Sequence, residues 1–346
     1  MKLPTIPPID QDATEAARLR QLALTKPPGS LGRLEELSVQ LAGMTGKSRP
    51  KFEGKTVIIM ASDHGVCEEG VSAYPTEVTR QMVFNFLRGG AAINVLARQA
   101  GARVVIVDMG VAEDFPPIEG LIQRKIAAGT RNFARMPAMT AEQAEAAIAV
   151  GIEIAGQENE AGADLIAIGE MGIGNTTAAS AMTAAFTGLP ASGLTGRGTG
   201  IDEAGWQRKV QVIEAALKLH RPDPKNGLEV LSKVGGFEIA GLAGVIIGAA
   251  ARRVPVVLDG FISGAAALAA FRLVPGIQPF MIASHQSVEV GHAAILKALS
   301  LQPLLSLDLR LGEGSGATLA FHMIEAATRI LDEMATFEEA GVSNKE

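Results

Sequence analysis

Short apolar runs that do not alternate with polar residues constrain this chain more than any other feature. Residues 56–61, 103–109, 164–168, 254–258, 279–283 and 306–309 read as strands, and Val and Ile dominate most of them. A strand with one face in water would place a polar residue at every second position. These runs therefore suit strands covered on both faces, as in a parallel sheet between two layers of helices. Segments of helical period separate them, at 75–87, 91–100, 141–161, 176–186, 202–220, 265–271 and 288–300. The chain also begins and ends helically. Residues 10–25 carry Ala16, Leu19 and Ala23 on one face, and Leu34, Leu37, Leu41 and Met44 repeat after a Pro-Pro-Gly break. A last helix over 315–335 aligns Ala320, Ile324, Ala327, Leu331 and Met334. The expected architecture is an α/β fold with an open, mostly parallel sheet between helical layers. Residues 51–312 would form that domain. Residues 1–50 and the C-terminal helix of 313–346 would form a small helical subdomain.

Composition narrows the functions open to such a fold. The 31 basic and 37 acidic side chains give a net charge of −6, so no broad basic face is expected for nucleic acid or anionic membrane. The longest strongly apolar stretch, 239–251, has 13 residues, short of the roughly 20 that a bilayer crossing needs. One cysteine, Cys67, excludes an intrachain disulfide and multi-cysteine metal sites. The N-terminal residues lack the apolar run of a signal peptide. A cytoplasmic protein is expected.

In open α/β sheets ligands collect beyond the carboxyl ends of the strands, so the segments after the runs hold the candidates. Gly169-Glu170-Met171-Gly172-Ile173-Gly174-Asn175-Thr176-Thr177 leads into a helix. Gly172 and Gly174 would let backbone N–H groups approach an anion beside a helix start. Glu170 would repel phosphate and better suits ribose hydroxyls or developing positive charge. The bland alternative is a Gly-rich turn with a Thr cap. Gly196-Arg197-Gly198-Thr199-Gly200 precedes another helix and suits a phosphate or carboxylate, with Gly198 at its centre. On that helix Lys209 borders the stripe of Trp206, Val210, Ile213 and Leu217, where a phosphate ligand and a snorkelling surface lysine are equally compatible with the pattern. Asp259, in Leu258-Asp259-Gly260-Phe261-Ile262-Ser263-Gly264, and Ser287, in Ser284-His285-Gln286-Ser287, also follow strands. The sharpest feature is Leu311-Gly312-Glu313-Gly314-Ser315-Gly316, a lone carboxylate bracketed by glycines at a helix start. Burial would raise that carboxyl toward a useful general base. Its alternative is a first-turn acid that complements the helix dipole.

Other patterns fail on spacing or context. Gly43-Met44-Thr45-Gly46-Lys47-Ser48 has too few residues between its glycines for a P-loop and follows a helix. Ser315 lacks the nucleophile-elbow spacing, because Glu313 occupies the first glycine position. Asp63-His64 and His285 stand outside any Cys/His cluster, so no metal site is expected. His220, His292 and His322 read as surface or packed residues. Glu68 and Glu69 beside Cys67 should raise its pKa.

Taken together, Lys26-Pro27-Pro28-Gly29-Ser30-Leu31-Gly32, Asp63-His64-Gly65-Val66 and the segments at 169–177, 196–200, 258–264 and 312–316 run in order along most of the chain. In that set the chain resembles the nicotinate-nucleotide:dimethylbenzimidazole phosphoribosyltransferase family. The resemblance implies transfer of phosphoribose from nicotinate mononucleotide to dimethylbenzimidazole, with inversion at the anomeric carbon, in cobalamin nucleotide-loop assembly. It makes Glu313 the general base, Glu170 the second acidic residue, and Gly172, Lys209 and Ser287 the phosphate contacts. It also implies a base pocket that draws on the loop after the first strand, with Gln81 and a polar residue at Ser72 or Tyr74. Leu311, immediately before the matched segment that holds Glu313, is expected to contact substrate as well. The resemblance further implies a homodimer, with the two small molecules as substrates and no cofactor.

The residues suit that chemistry. Departing nicotinate leaves as a neutral pyridine ring and needs no general acid. The attacking benzimidazole becomes cationic, so one base must take the proton from its partner nitrogen. A monophosphate donor does not call for a Mg²⁺-binding acidic pair. A transferase using a pyrophosphate donor would typically end a strand with paired acids, whereas 104–109 offers only Asp108 before Met109. A non-catalytic nucleotide-sensing module would keep the glycine loops but would not need Glu313.

Overall fold

The computed structural model describes residues 1–198 and 200–343. Thr199, in the expected anion loop, lies outside the described residues. Six strands form one parallel sheet: β1 (Lys55–Ser62), β2 (Arg103–Gly110), β3 (Leu121–Gln123), β4 (Leu165–Met171), β5 (Val256–Leu258) and β6 (Met281–Ala283). Their order is β3-β2-β1-β4-β5-β6, with every neighbouring pair parallel. The order reverses direction between β1 and β4, and such a switch opens a crevice at the carboxyl edge of a doubly wound sheet. The central strands are buried almost throughout, which is why their sequences do not alternate.

The described helices are α1 (Gln11–Ala23), α2 (Arg33–Thr45), α3 (Glu77–Leu87), α4 (Ala92–Ala100), α5 (Ala141–Glu160), α6 (Asn175–Thr187), α7 (Glu203–His220), α8 (Gly227–Val234), α9 (Phe237–Ala250), α10 (Phe261–Leu273), α11 (His292–Leu299), α12 (Ser315–Glu333) and α13 (Phe337–Ala340). Local chemistry fixes several starts. Asp10 caps α1 through the Ala13 N–H at 2.8 Å, and Asp202 caps α7 through the Gly205 N–H at 2.8 Å. Thr140 and Gln143 close a reciprocal capping box at the start of α5.

Helix α12 joins two neighbourhoods. Its first half packs Ala317, Ala320, Phe321 and Ile324 into the main core, while Leu331 near its end meets Ala17 of α1 and Ala42 of α2. Arg20 of α1 donates to the carbonyls of Leu331, Asp332 and Met334 at 2.6, 3.0 and 3.1 Å, tying off the C-terminal end of α12. Lys26 of the Pro-Pro-Gly break is buried in an ion pair with Glu35 at 2.9 Å.

Four sequence-based expectations are corrected. Residues 306–309 are not a strand: Leu307 is exposed and Asp308 has φ 52°, a left-handed conformation that no strand can contain. The sixth strand is instead β3, three residues long at the sheet edge. The buried face of α1 is Ala13, Ala17 and Gln21, so Ala16, Leu19 and Ala23 point outward. Helix α9 was not expected as a helix because it is buried on every side and shows no period.

Candidate active site

A cavity of about 470 Å³ opens at the carboxyl edge of the sheet, lined from the ends of β4, β5 and β6 and from the start of α12. Glu313 enters it from an unusual backbone. Gly312, Glu313 and Gly314 have φ of 84°, 63° and 86°, three left-handed residues in succession. Glycine adopts this freely, whereas for Glu313 it costs roughly 1–3 kcal/mol that the surroundings must hold in place. Asp259, just beyond β5, supplies that hold. Its Oδ1 accepts the N–H groups of Gly316 and Ala317 at 2.7 and 3.0 Å, and its Oδ2 accepts that of Gly314 at 3.3 Å. The carboxylate thereby caps α12 and fixes the turn carrying Glu313.

Three carboxyl groups converge there. Burial raises the Glu313 carboxyl above its usual range, against the pull of the Ile93 N–H at 3.3 Å. Burial first, and then the charges of Asp259, Glu238 and Glu313, push Glu170 up to about 8, opposed by a hydrogen bond from the Asn175 side chain. Asp259 is pushed up to about 7 by burial, against its three backbone donors. Gly312 is needed for this crowding, since a Cβ there would collide with Glu170 Oε1.

The other end of the cavity is built around a cation. Lys209 is only 1% exposed, so it does not snorkel; its Nζ donates to Thr176 Oγ1 at 2.7 Å beneath Gly198. Burial lowers its pKa to about 8, with Glu289 acting in the opposite direction. Ser287 donates to the Leu309 carbonyl at 3.1 Å, and its backbone N–H donates to His292 Nδ1 at 2.9 Å. Burial, and then the neighbouring His285, lowers His292 to about 4, so its Nδ1 is an acceptor. Tyr74, Val78, Met82 and Phe261 add an apolar wall to the cavity.

The cavity brings together Glu313, Glu170, Gly172, Gly198, Asp259, Ser287 and Leu311. Lys209 sits directly behind it. Gly174 is set back as the left-handed N-cap of α6, with φ 93°. Gln81 is not brought in: it is exposed on α3, whose Val78 and Met82 face the cavity instead. Of the two base-loop alternatives, Tyr74 lines the cavity, and Ser72 accepts the Tyr74 N–H at 3.2 Å. Asp259 was expected to bind substrate, yet both its oxygens are committed to backbone. His285, Glu289 and Arg310 also line the cavity and were not singled out as site residues. The placement of His285 just past β6 was the available signal. Cys67 is pushed up to about 12 chiefly by burial and then by Asp63, rather than by Glu68 and Glu69. Among the described residues, no group of three His, Cys, Asp or Glu could hold a metal ion, and no helix is long and apolar enough to cross a membrane.

Residues 6–342 match the model of a family described as phosphoribosyltransferase. A Chloroflexus aurantiacus protein named nicotinate-nucleotide--dimethylbenzimidazole phosphoribosyltransferase is 64% identical over 340 residues, covering 98% of this chain and 97% of its own. A Geobacter sulfurreducens protein of the same name is 56% identical over 341 residues, covering 99% and 97% respectively. The crystal structure of CobT from Thermus thermophilus superimposes with a TM-score of 0.93 at 50% identity, over 96% of this chain and all (100%) of that one.

Proposed function

The chain belongs to this phosphoribosyltransferase family, and we propose that it transfers phosphoribose from nicotinate mononucleotide to dimethylbenzimidazole with Glu313 as general base. The products are nicotinate and α-ribazole 5′-phosphate, made for the nucleotide loop of cobalamin. One nitrogen of the base attacks the anomeric carbon as the bond to the pyridinium ring breaks, and nicotinate leaves with the bonding electron pair. The proton on the other nitrogen passes to Glu313. The observation that carries this reading is the Glu313 carboxylate, held in a strained turn by Asp259 and raised toward a useful base by burial. Glu170 stabilises the positive charge that develops on the sugar, and that same charge favours its ionised form. Lys209, Gly172 and Ser287 receive the phosphate, and the apolar wall with Tyr74 receives the aromatic base. No step requires a cofactor.

We also read residues 1–50 and 313–346 as one helical unit against 51–312, in a cytoplasmic homodimer. The dimer is expected from the family resemblance, and the exposed Leu19 and Leu22 of α1 are compatible with it. The single cysteine is compatible with a reducing compartment. The reaction is tested by incubating the protein with nicotinate mononucleotide and dimethylbenzimidazole and identifying products by mass. The base-linked ribotide is expected together with nicotinate. Nicotinate with free ribose phosphate would instead reveal a hydrolase.

A further inference from the structure

The Asp63-His64 pair and its surroundings are not used by the mechanism above, yet they lie directly beneath the loop that ends β4. Ile173, between Gly172 and Gly174, is gripped at both of its peptide groups by side chains. Its N–H donates to Thr79 Oγ1 at 3.0 Å, and its carbonyl accepts from Cys67 Sγ at 3.2 Å. Thr79 is fully buried on α3, and the Cys67 thiol keeps its proton because burial pushes it up to about 12. Below the same loop, His64 Nε2 contacts Glu238 Oε1 at 2.7 Å, with both side chains fully buried. The His64 ring fills the space against Gly172, where a Cβ would lie 3.3 Å from Nε2. Asp63 is the next residue toward β1, and the Thr79 hydroxyl is among the groups that lower its proton affinity.

We propose that Thr79 is a positioning residue for the phosphate end of the cavity, acting through the Ile173 peptide with Cys67 as the opposing hold. This rests on the transfer reaction proposed above. Turning the Ile173 N–H inward fixes the plane of the peptide between Gly172 and Ile173, and with it the approach of Gly172 to a phosphate. A loop free to rotate that peptide would spend binding free energy on ordering itself. The turn carrying Glu313 is held separately by Asp259, so a loosened loop should be felt by the nucleotide more than by the aromatic base.

The test uses Thr79→Val, which keeps the shape but removes the hydroxyl that accepts from Ile173 and faces Asp63, Thr79→Ser, which restores it, and Cys67→Ala. Steady-state kinetics are measured in each substrate, with calorimetric binding of ribose 5-phosphate as a readout that needs no turnover. For Thr79→Val the KM for nicotinate mononucleotide and the Kd for ribose 5-phosphate should rise roughly 10-fold. Its kcat and the KM for dimethylbenzimidazole should stay within about twofold, and Thr79→Ser should return both nucleotide values close to wild type. An unchanged nucleotide KM in folded Thr79→Val overturns the inference, as does an equal rise in both KM values. If Thr79→Val does not fold, Cys67→Ala decides: a rise of roughly threefold confined to the nucleotide supports the grip, and no change overturns it. Failure of the wild-type protein to form the ribotide would instead overturn the reaction on which the inference rests.

Discussion

On one side of the cavity Glu170, Asp259 and Glu313 crowd around the start of α12, while on the other Lys209 lies buried beneath Gly198, with Glu289 as its acidic neighbour. The side chains at both ends are buried, and desolvation acts in opposite directions on them. It raises the three carboxyls and lowers the lysine to about 8. Burial thus reduces the charge that each end carries before substrate binds. The substrate proposed here brings what each end lacks, a cationic ring and a sugar that gains positive charge in the transition state for the carboxyls, and a phosphate for the lysine.

Substitutions at the two ends should separate chemistry from binding. Glu313→Gln should lower kcat about 100-fold or more while nicotinate mononucleotide still binds, because the amide cannot take the proton. Near-normal turnover would remove Glu313 from the role of base. Lys209→Ala should raise the nucleotide KM about 10-fold with a smaller change in kcat. For the free enzyme, kcat/KM for the nucleotide should also fall as pH rises past about 8, where Lys209 loses its proton. Lys209→Arg should move that alkaline fall to higher pH; a fall that stays in place would assign it to another group.

A separate effect concerns stability. The folded value of Glu170, about 8, lies above the ordinary 4.5, so the protonated form is favoured by folding. Its contribution is therefore complete below about pH 4.5 and is lost as pH rises to about 8. Between pH 5 and 8 the empty protein should lose on the order of 1–4 kcal/mol from this group. Glu170→Gln should flatten that slope in chemical denaturation, and an unchanged slope would contradict the shift.

How much of this the sequence reveals depends on how local the cause is. The strands of the sheet centre are legible because burial on both faces suppresses alternation over a whole segment. The 306–309 run misleads because Leu307 and Leu309 imitate a strand, although Asp308 turns the chain left-handed. Strand β3 is too short to carry a pattern. Glu313 stands out because glycines bracket it, and they are needed for the left-handed turn. Asp259 is visible as a residue past a strand, but its hold on α12 depends on a helix start more than fifty residues away. Gln81 and Met82 show the finest limit. They are neighbours on one helix, and a rotation of about 100° puts one in solvent and the other at the cavity.

Glu313 receives a proton from the incoming base in the reaction proposed here, and a base without that proton tests this directly. Single-turnover rates of wild type and Glu313→Gln should be compared with dimethylbenzimidazole and with its N-methylated analogue, which can attack through its free nitrogen. The ratio of wild type to variant should be about 100 or more with dimethylbenzimidazole and within a few-fold of one with the analogue. An equally large ratio with both bases would mean that Glu313 acts by charge or shape, and that the proton leaves by another route.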